Sequence, residues 1–122
     1  MDIVDIIIDL PKPPSLNMIY AGKHWAVRKK YKDEYKKIIR ERLAEMDSFH
    51  CEAYSLDIRY NSRLDIDNCI LVSKFLSDTL VEDGCVEDDS PKYFKEIRIK
   101  FDKEIEKNHY IVKIKCEKYT VL

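Results

Sequence analysis

The sequence predicts one small α/β domain, residues 1–122, in which two helices pack on one mixed sheet. A length of 122 residues fits a single domain, and a hydrophobic content of 45% is enough for one modest core. Two segments repeat apolar residues at helical spacing, and four others are short apolar or alternating stretches typical of strands. The predicted order is strand, helix, strand, helix, strand, strand.

The first predicted strand covers residues 2–10, and it ends at Pro11 because proline supplies no ladder donor. A turn-rich loop follows. A long helix begins around Ala26, with a buried face and a basic face. Its apolar positions are Val27, Tyr31, Tyr35, Ile38, Ile39, Leu43 and Met46. The alternating residues 51–60 predict the second strand.

The second predicted helix has Asn68 as its N-cap and stops at Gly84, which adopts a left-handed conformation easily. Its predicted buried stripe consists of Ile70, Leu71, Phe75, Leu76 and Leu80. Residues 93–102 and 109–119 alternate with period two around a polar link, and we predict that they form an antiparallel hairpin.

Charge is divided unevenly along the chain, although 22 basic and 23 acidic side chains leave a net charge of −1. Residues 20–42 hold nine Lys or Arg against three acidic residues, whereas residues 64–89 hold eight acidic residues against Lys74. A basic segment together with an acidic one suits a domain that binds phosphates and also a hard cation.

The four cysteines are widely spaced without a Cys-x-x-Cys pair, and no signal-like apolar stretch opens the chain. We therefore expect reduced thiols in a cytoplasmic protein. The longest unbroken apolar run, residues 6–8, is too short to span a bilayer, so we expect no membrane segment.

Two carboxylates, Asp65 and Asp67, stand where a predicted strand ends and a helix begins, so both can point to the same side. If the strand after Gly84 runs beside the second strand, Asp89 returns to this pair and completes an all-oxygen site for Mg²⁺ or Mn²⁺. Such a site can activate water and stabilise the departing 3′ oxygen of a phosphodiester. Spacing alone favours a structural interpretation, because Asp-x-Asp-Asn is a common helix cap and Asp-Asp-Ser-Pro an ordinary turn.

Lys74 shares a stripe of the second helix with Asp67, Leu71 and Asp78. It either steadies a scissile phosphate or forms an i, i+4 ion pair with Asp78. The spacing does not decide between these two interpretations.

Two motifs carry a resemblance to a known family. Residues 10–20 read Leu-Pro-x-Pro-Pro-Ser-x-Asn-x-x-Tyr, and a second set combines Asp-x-Asp-Asn with a lysine, an aspartate, a glycine and a closing Asp-Asp. The second set consists of Asp65, Asp67, Asn68, Lys74, Asp78, Gly84, Asp88 and Asp89. Over residues 10–89 the chain thus resembles the RusA-like crossover junction endodeoxyribonucleases, which are Holliday junction resolvases.

The resemblance implies a Mg²⁺-dependent endonuclease, with Mn²⁺ as a substitute, that resolves four-way junctions by paired symmetric nicks. It implies that Asp65, Asp67 and Asp89 bind the metal and act in catalysis together with Lys74. It also implies a homodimer, because a nearly two-fold symmetric junction needs two equivalent sites. Such resolvases are often carried by prophages.

Branched DNA is the expected partner, and basic residues near the loop and before the first aspartate should supply sequence-independent phosphate contacts. The predicted DNA-binding residues are Tyr20, Lys23, Arg28, Lys29, Lys30 and Arg63. We expect Lys36, Lys37 and Arg40 on a solvated helix face. Tyr20, His24 and Trp25 either stack on an unpaired base or anchor the loop, and we favour anchoring for Trp25.

The chain departs from the family in two places. About three extra residues separate Asn68 from Lys74, close to one helical turn of ~5 Å, and Leu71 occupies the ungapped position. Leu64 stands where the family tends to have a basic residue, with Arg63 one step earlier. The alternative function is therefore a junction-binding or regulatory module of the same fold without nuclease turnover.

Overall fold

The computed structural model describes residues 3–15, 19 and 24–122, in which two helices accompany a four-stranded mixed sheet. The elements are β1 (Val4–Pro11), α1 (Trp25–Leu43), β2 (Phe49–His50), β3 (Ala53–Asn61), a 3₁₀ turn (Ile66–Asn68), α2 (Cys69–Glu82), β4 (Phe94–Phe101), β5 (His109–Glu117) and β6 (Thr120–Val121). This order confirms the predicted α/β class. The short strands β2 and β6, which the sequence analysis did not predict, form a separate antiparallel pair.

The main sheet has the order β1-β5-β3-β4, with β4 parallel to β3 and β5 antiparallel to both β1 and β3. The predicted hairpin of residues 93–102 and 109–119 is therefore wrong, because β3 lies between its two strands. β5 buries alternate apolar side chains such as Val112 and Ile114, as a central strand does. β4 is exposed along most of its length and carries charged residues such as Arg98, which are typical of a sheet edge.

Both helices contribute to one core on the face of the sheet that carries the buried residues of β1, β3 and β5. Ile39 of α1 and Leu71 and Phe75 of α2 are almost fully buried there. The prediction that Ile70 joins this buried stripe is wrong, since its side chain is 55% exposed. Helix α2 turns Leu71 and Val72 toward the sheet, and Ile70 therefore faces outward.

The ends of α2 follow the predicted signals in position. Asn68 occupies the N-cap position, but its side chain makes no capping hydrogen bond. Gly84 follows the helix with φ of +77°, a left-handed conformation that a glycine adopts without strain. Within the described part of the chain, no helix is long and apolar enough to cross a membrane. All four cysteines are buried and free of disulfides.

Ion pairs join the C-terminal half of α1 to α2. The Lys36 ammonium lies 2.7 Å from Glu82 and 3.8 Å from Asp78, and the Arg40 guanidinium lies 2.6 Å from Glu82 and 3.1 Å from Asp83. The expectation of a solvated face is therefore wrong for Lys36, whose side chain is only 16% exposed, whereas the ion-paired Arg40 keeps 40% of its side chain exposed. These two basic residues stabilise the packing of α1 on α2.

Candidate metal and nucleic-acid site

Asp65 and Asp67 lie in the connection between β3 and α2. Asp65 is the N-cap of the 3₁₀ turn, Asp67 lies within that turn, and both side chains are exposed. The Asp65 carboxylate makes no capping hydrogen bond, so the helix-cap interpretation does not hold for it. Neither carboxylate forms an ion pair with a Lys, Arg or His of the described residues. Both are therefore available to a cation.

Asp89 lies near the other end of β3. The strand that follows it, β4, does run beside β3, but in parallel, so the residues before β4 approach the start of β3. Burial raises the pKa of Tyr54 to about 12, and Asp89 adds to that rise. Burial also raises the pKa of Tyr60, with a contribution from Asp65. Asp89 thus lies near Tyr54 and Asp65 lies near Tyr60. These two tyrosines are separated by about 20 Å along β3, at ~3.3 Å per residue.

Lys74 lies on the exposed side of α2 with its ammonium 4.0 Å from Asp78. Asp78 also forms an ion pair with Lys36 of α1. Burial is the main cause of the raised pKa of Tyr54, and Asp78 contributes to it. The Tyr54 hydroxyl donates a 2.9 Å hydrogen bond to the hydroxyl of Ser77. Asp78, the partner of Lys74, and Asp89 thus both lie near Tyr54, on the side of α2 that is opposite the Asp67 end.

The donor chemistry of Asp65, Asp67 and Asp89 fits Mg²⁺ or Mn²⁺, because all three are exposed carboxylates without an ion pair to a described basic residue. The structure does not assemble them: within residues 3–15, 19 and 24–122, no three His, Cys, Asp or Glu side chains are grouped to hold a metal ion. The assignment of all three to one metal stays a prediction.

At neighbouring Cys69, burial raises the thiol pKa to about 12, so this cysteine is protonated at neutral pH and is a poor nucleophile.

The predicted DNA-binding residues lie in two places. Arg28, Lys29 and Lys30 occupy the first turns of α1, where Lys29 pairs with Asp33 and Lys30 lies 4.0 Å from Glu34. Arg63 is exposed just before the aspartate pair and makes no ion pair with a described acidic residue. The remaining two predicted contacts, Tyr20 and Lys23, lie outside the described residues.

Comparison of the chain with models of known protein families and with curated proteins finds no match. The resemblance to RusA-like resolvases therefore remains a prediction that depends on the motif residues.

Sequence reasoning missed two features of this region. The first is that Lys36 and Arg40 form ion pairs with the acidic side of α2. The two basic residues are four positions apart, as are Asp78 and Glu82, and this matched spacing is the sequence pattern that could have predicted the contact. The second is the position of Trp25, which is 63% exposed at the start of α1. Trp25 is therefore not part of the core, and its predicted anchoring of the loop concerns residues 20–23, which lie outside the described residues.

Proposed function

We propose that this protein is a metal-dependent endonuclease that cleaves branched DNA in the cytoplasm, with four-way junctions as its substrate. The observation that carries the proposal is that some acidic side chains of residues 64–89 form ion pairs and others do not. Asp78, Glu82 and Asp83 are paired with basic side chains, whereas Asp65, Asp67, Glu87, Asp88 and Asp89 are exposed and form no ion pair with a described basic residue. Carboxylates that serve neither packing nor capping are the ones available as metal ligands.

In this proposal Asp65 and Asp67 hold the cation, and Asp89 is kept as the third ligand on the resemblance alone. When bound, the cation would supply an activated water and would stabilise the departing oxygen of the phosphodiester. Arg63, next to the aspartate pair, is assigned to a DNA phosphate. The cations of the first turns of α1, Arg28, Lys29 and Lys30, hold the DNA backbone farther away without reading sequence. Two such sites in a homodimer would produce the paired nicks.

The test is incubation of the purified protein with a labelled four-way junction and with the matching linear duplex, in Mg²⁺, Mn²⁺ or EDTA. The expected result is paired nicks on the junction alone, lost in EDTA. Asp67→Asn should lower the cleavage rate by at least about 100-fold, beyond what loss of an outer-shell partner costs, while junction binding persists. Cleavage in EDTA, or wild-type cleavage by Asp67→Asn, would contradict the proposal.

Asp88 and Asp89 offer a matched pair for the third ligand, since both are exposed neighbours without an ion pair among the described residues. Asp89→Asn should lose nicking, and Asp88→Asn should keep it. If both variants cleave at the wild-type rate, Asp89 is not a ligand, and the cation is held by Asp65 and Asp67 without it.

A second candidate function is junction binding without turnover. It is favoured by the position of Lys74, whose ammonium faces Asp78 at 4.0 Å and whose backbone follows that of Asp67 by seven residues, about 10 Å of helix rise. In this case the junction would bind tightly and no metal would support nicking. Where nicking is observed, Lys74→Ala tests the role of this lysine, because an enzyme that needs it should lose cleavage and retain binding.

A further inference from the structure

Trp25, the only tryptophan of the chain, begins α1 with 63% of its surface exposed. Most of the large aromatic side chains whose burial is described lie in the core instead; Tyr54, Phe75 and Tyr110 are at most 1% exposed. The indole ring is in contact with His24, the N-cap residue of the same helix, with ring centroids 5.6 Å apart. Trp25 therefore presents a large aromatic surface to solvent from the start of a regular helix.

The surroundings of Trp25 are basic. The first turn of α1 contains no acidic residue, and Arg28 and Lys29 follow at i+3 and i+4, which places them one turn along on the same side as Trp25. The ion pair of Lys29 with Asp33 joins side chains that are 66% and 56% exposed, so solvent screens it and a phosphate can replace the carboxylate.

The other half of α1 is different, because Lys36 and Arg40 are occupied by the acidic residues of α2. The available positive charge of the helix thus lies at the end that carries the exposed ring. Val27, the next exposed apolar residue, is 40% exposed and two positions away, so it does not share a face with Trp25. A single flat ring beside cations suits a planar ligand that carries negative charge better than it suits an apolar protein surface.

We propose that Trp25 is a stacking platform for an unpaired nucleobase of DNA, with Arg28 and Lys29 on the adjoining phosphates. This inference rests on the proposed function and deepens it, because it names bases exposed at a branch point or in a single strand as the ligand. Stacking on an aromatic side chain is open to every base and is independent of sequence. The platform therefore recognises the unpaired state of the DNA.

The single tryptophan allows a direct test, since intrinsic emission reports Trp25 alone. The protein is titrated in EDTA with oligothymidine, with a four-way junction and with a blunt linear duplex, while the anisotropy of labelled DNA reports binding. Oligothymidine and the junction should quench the emission as binding saturates and should protect Trp25 from acrylamide. The linear duplex should have much weaker effects on both.

Variants separate stacking from charge. Trp25→Ala should weaken oligothymidine binding by roughly 5- to 150-fold, the range expected for loss of one stacked base, while Trp25→Phe should keep most of the affinity. Val27→Ala is the matched control, because it shortens an exposed apolar side chain of the same turn and should bind like wild type. Circular dichroism checks that each variant is folded.

Several outcomes would overturn the inference. Saturated DNA binding with unchanged emission, or equal weakening of oligothymidine and duplex binding by Trp25→Ala, would refute stacking and leave the nuclease proposal intact. Emission that changes with protein concentration in the absence of DNA would show that a second copy of the chain covers the ring. Failure to bind any of the three DNAs would refute both the stacking platform and the proposed function.

Discussion

Asp78, Glu82 and Asp83, at the C-terminal end of α2, form ion pairs with basic side chains of α1, whereas Asp65 and Asp67, at the opposite end, form no ion pair with a basic residue that the structure describes. Both groups belong to one acidic stretch of the sequence. The first group neutralises Lys36 and Arg40 and joins the two helices. The second has no structural partner of this kind, and this difference makes it the candidate for cation binding.

The basic residues of α1 fall into two groups in the same way. Those of its C-terminal half serve the helix contact, and those of its N-terminal half, Arg28 to Lys30, are left for ligands. A count of charges along the chain cannot make this division, because it depends on which residues face each other after folding.

The largest expected effect concerns metal binding. Mg²⁺ or Mn²⁺ at a hundred times its dissociation constant should raise the free energy of unfolding by about 2.7 kcal/mol, because the cation binds the folded state. Asp67→Asn should remove this increase, whereas Asp83→Asn, which changes a paired carboxylate, should keep it. Thermal unfolding with and without the cation measures both. An equal increase in the two variants would show that the unpaired aspartates are not the ligands.

Local signals predicted the fold well where neighbours in sequence determine the structure. Proline at the end of β1 and Gly84 after α2 mark real boundaries, and the alternation in β3 and β5 matches their buried faces. The predicted hairpin failed because strand pairing is a long-range choice. The charged residues of β4 pointed to an edge strand, but nothing local showed that β3 would lie between β4 and β5.

The candidate site was predicted only in part for the same reason. The position of Asp65 and Asp67 between β3 and α2 follows from the element order and is confirmed. The position of Asp89 depends on the direction of β4, and the parallel pairing places Asp89 near Tyr54. The exposure of Trp25 depends on how the chain packs around the start of α1, which the 3.6-residue period does not specify.

A smaller effect is expected from breaking the contact between the helices. Lys36→Ala removes the ammonium that bridges Glu82 and Asp78, so the unfolding free energy should fall by about 1 kcal/mol or less, with metal affinity unchanged. Lys37→Ala is the matched control, since Lys37 is exposed on the same helix and makes no ion pair with a described residue. Denaturant titration measures the difference. Equal losses in both variants would argue against the contact.

The smallest effect is the pH dependence of that contact. The hydrogen bond from Lys36 lowers the pKa of Glu82 below its ordinary value of 4.5, and Arg40 adds to this. A lowered pKa in the folded state stabilises the protein above pH 4.5, and the contribution is lost as the pH falls through the folded-state pKa. Because the Glu82 side chain is 47% exposed, solvent screening limits the contribution to below about 1 kcal/mol.

Glu82→Gln should therefore be less stable than wild type at neutral pH, and the difference should shrink as the pH falls below 4.5. Urea unfolding of both proteins across this range measures it. Glu87→Gln, which alters an exposed carboxylate of the same stretch without an ion pair to a described residue, serves as the control. A constant difference between wild type and Glu82→Gln at every pH would mean that the helix contact does not depend on the charge of Glu82, and the division of the acidic residues into paired and available groups would lose its electrostatic basis.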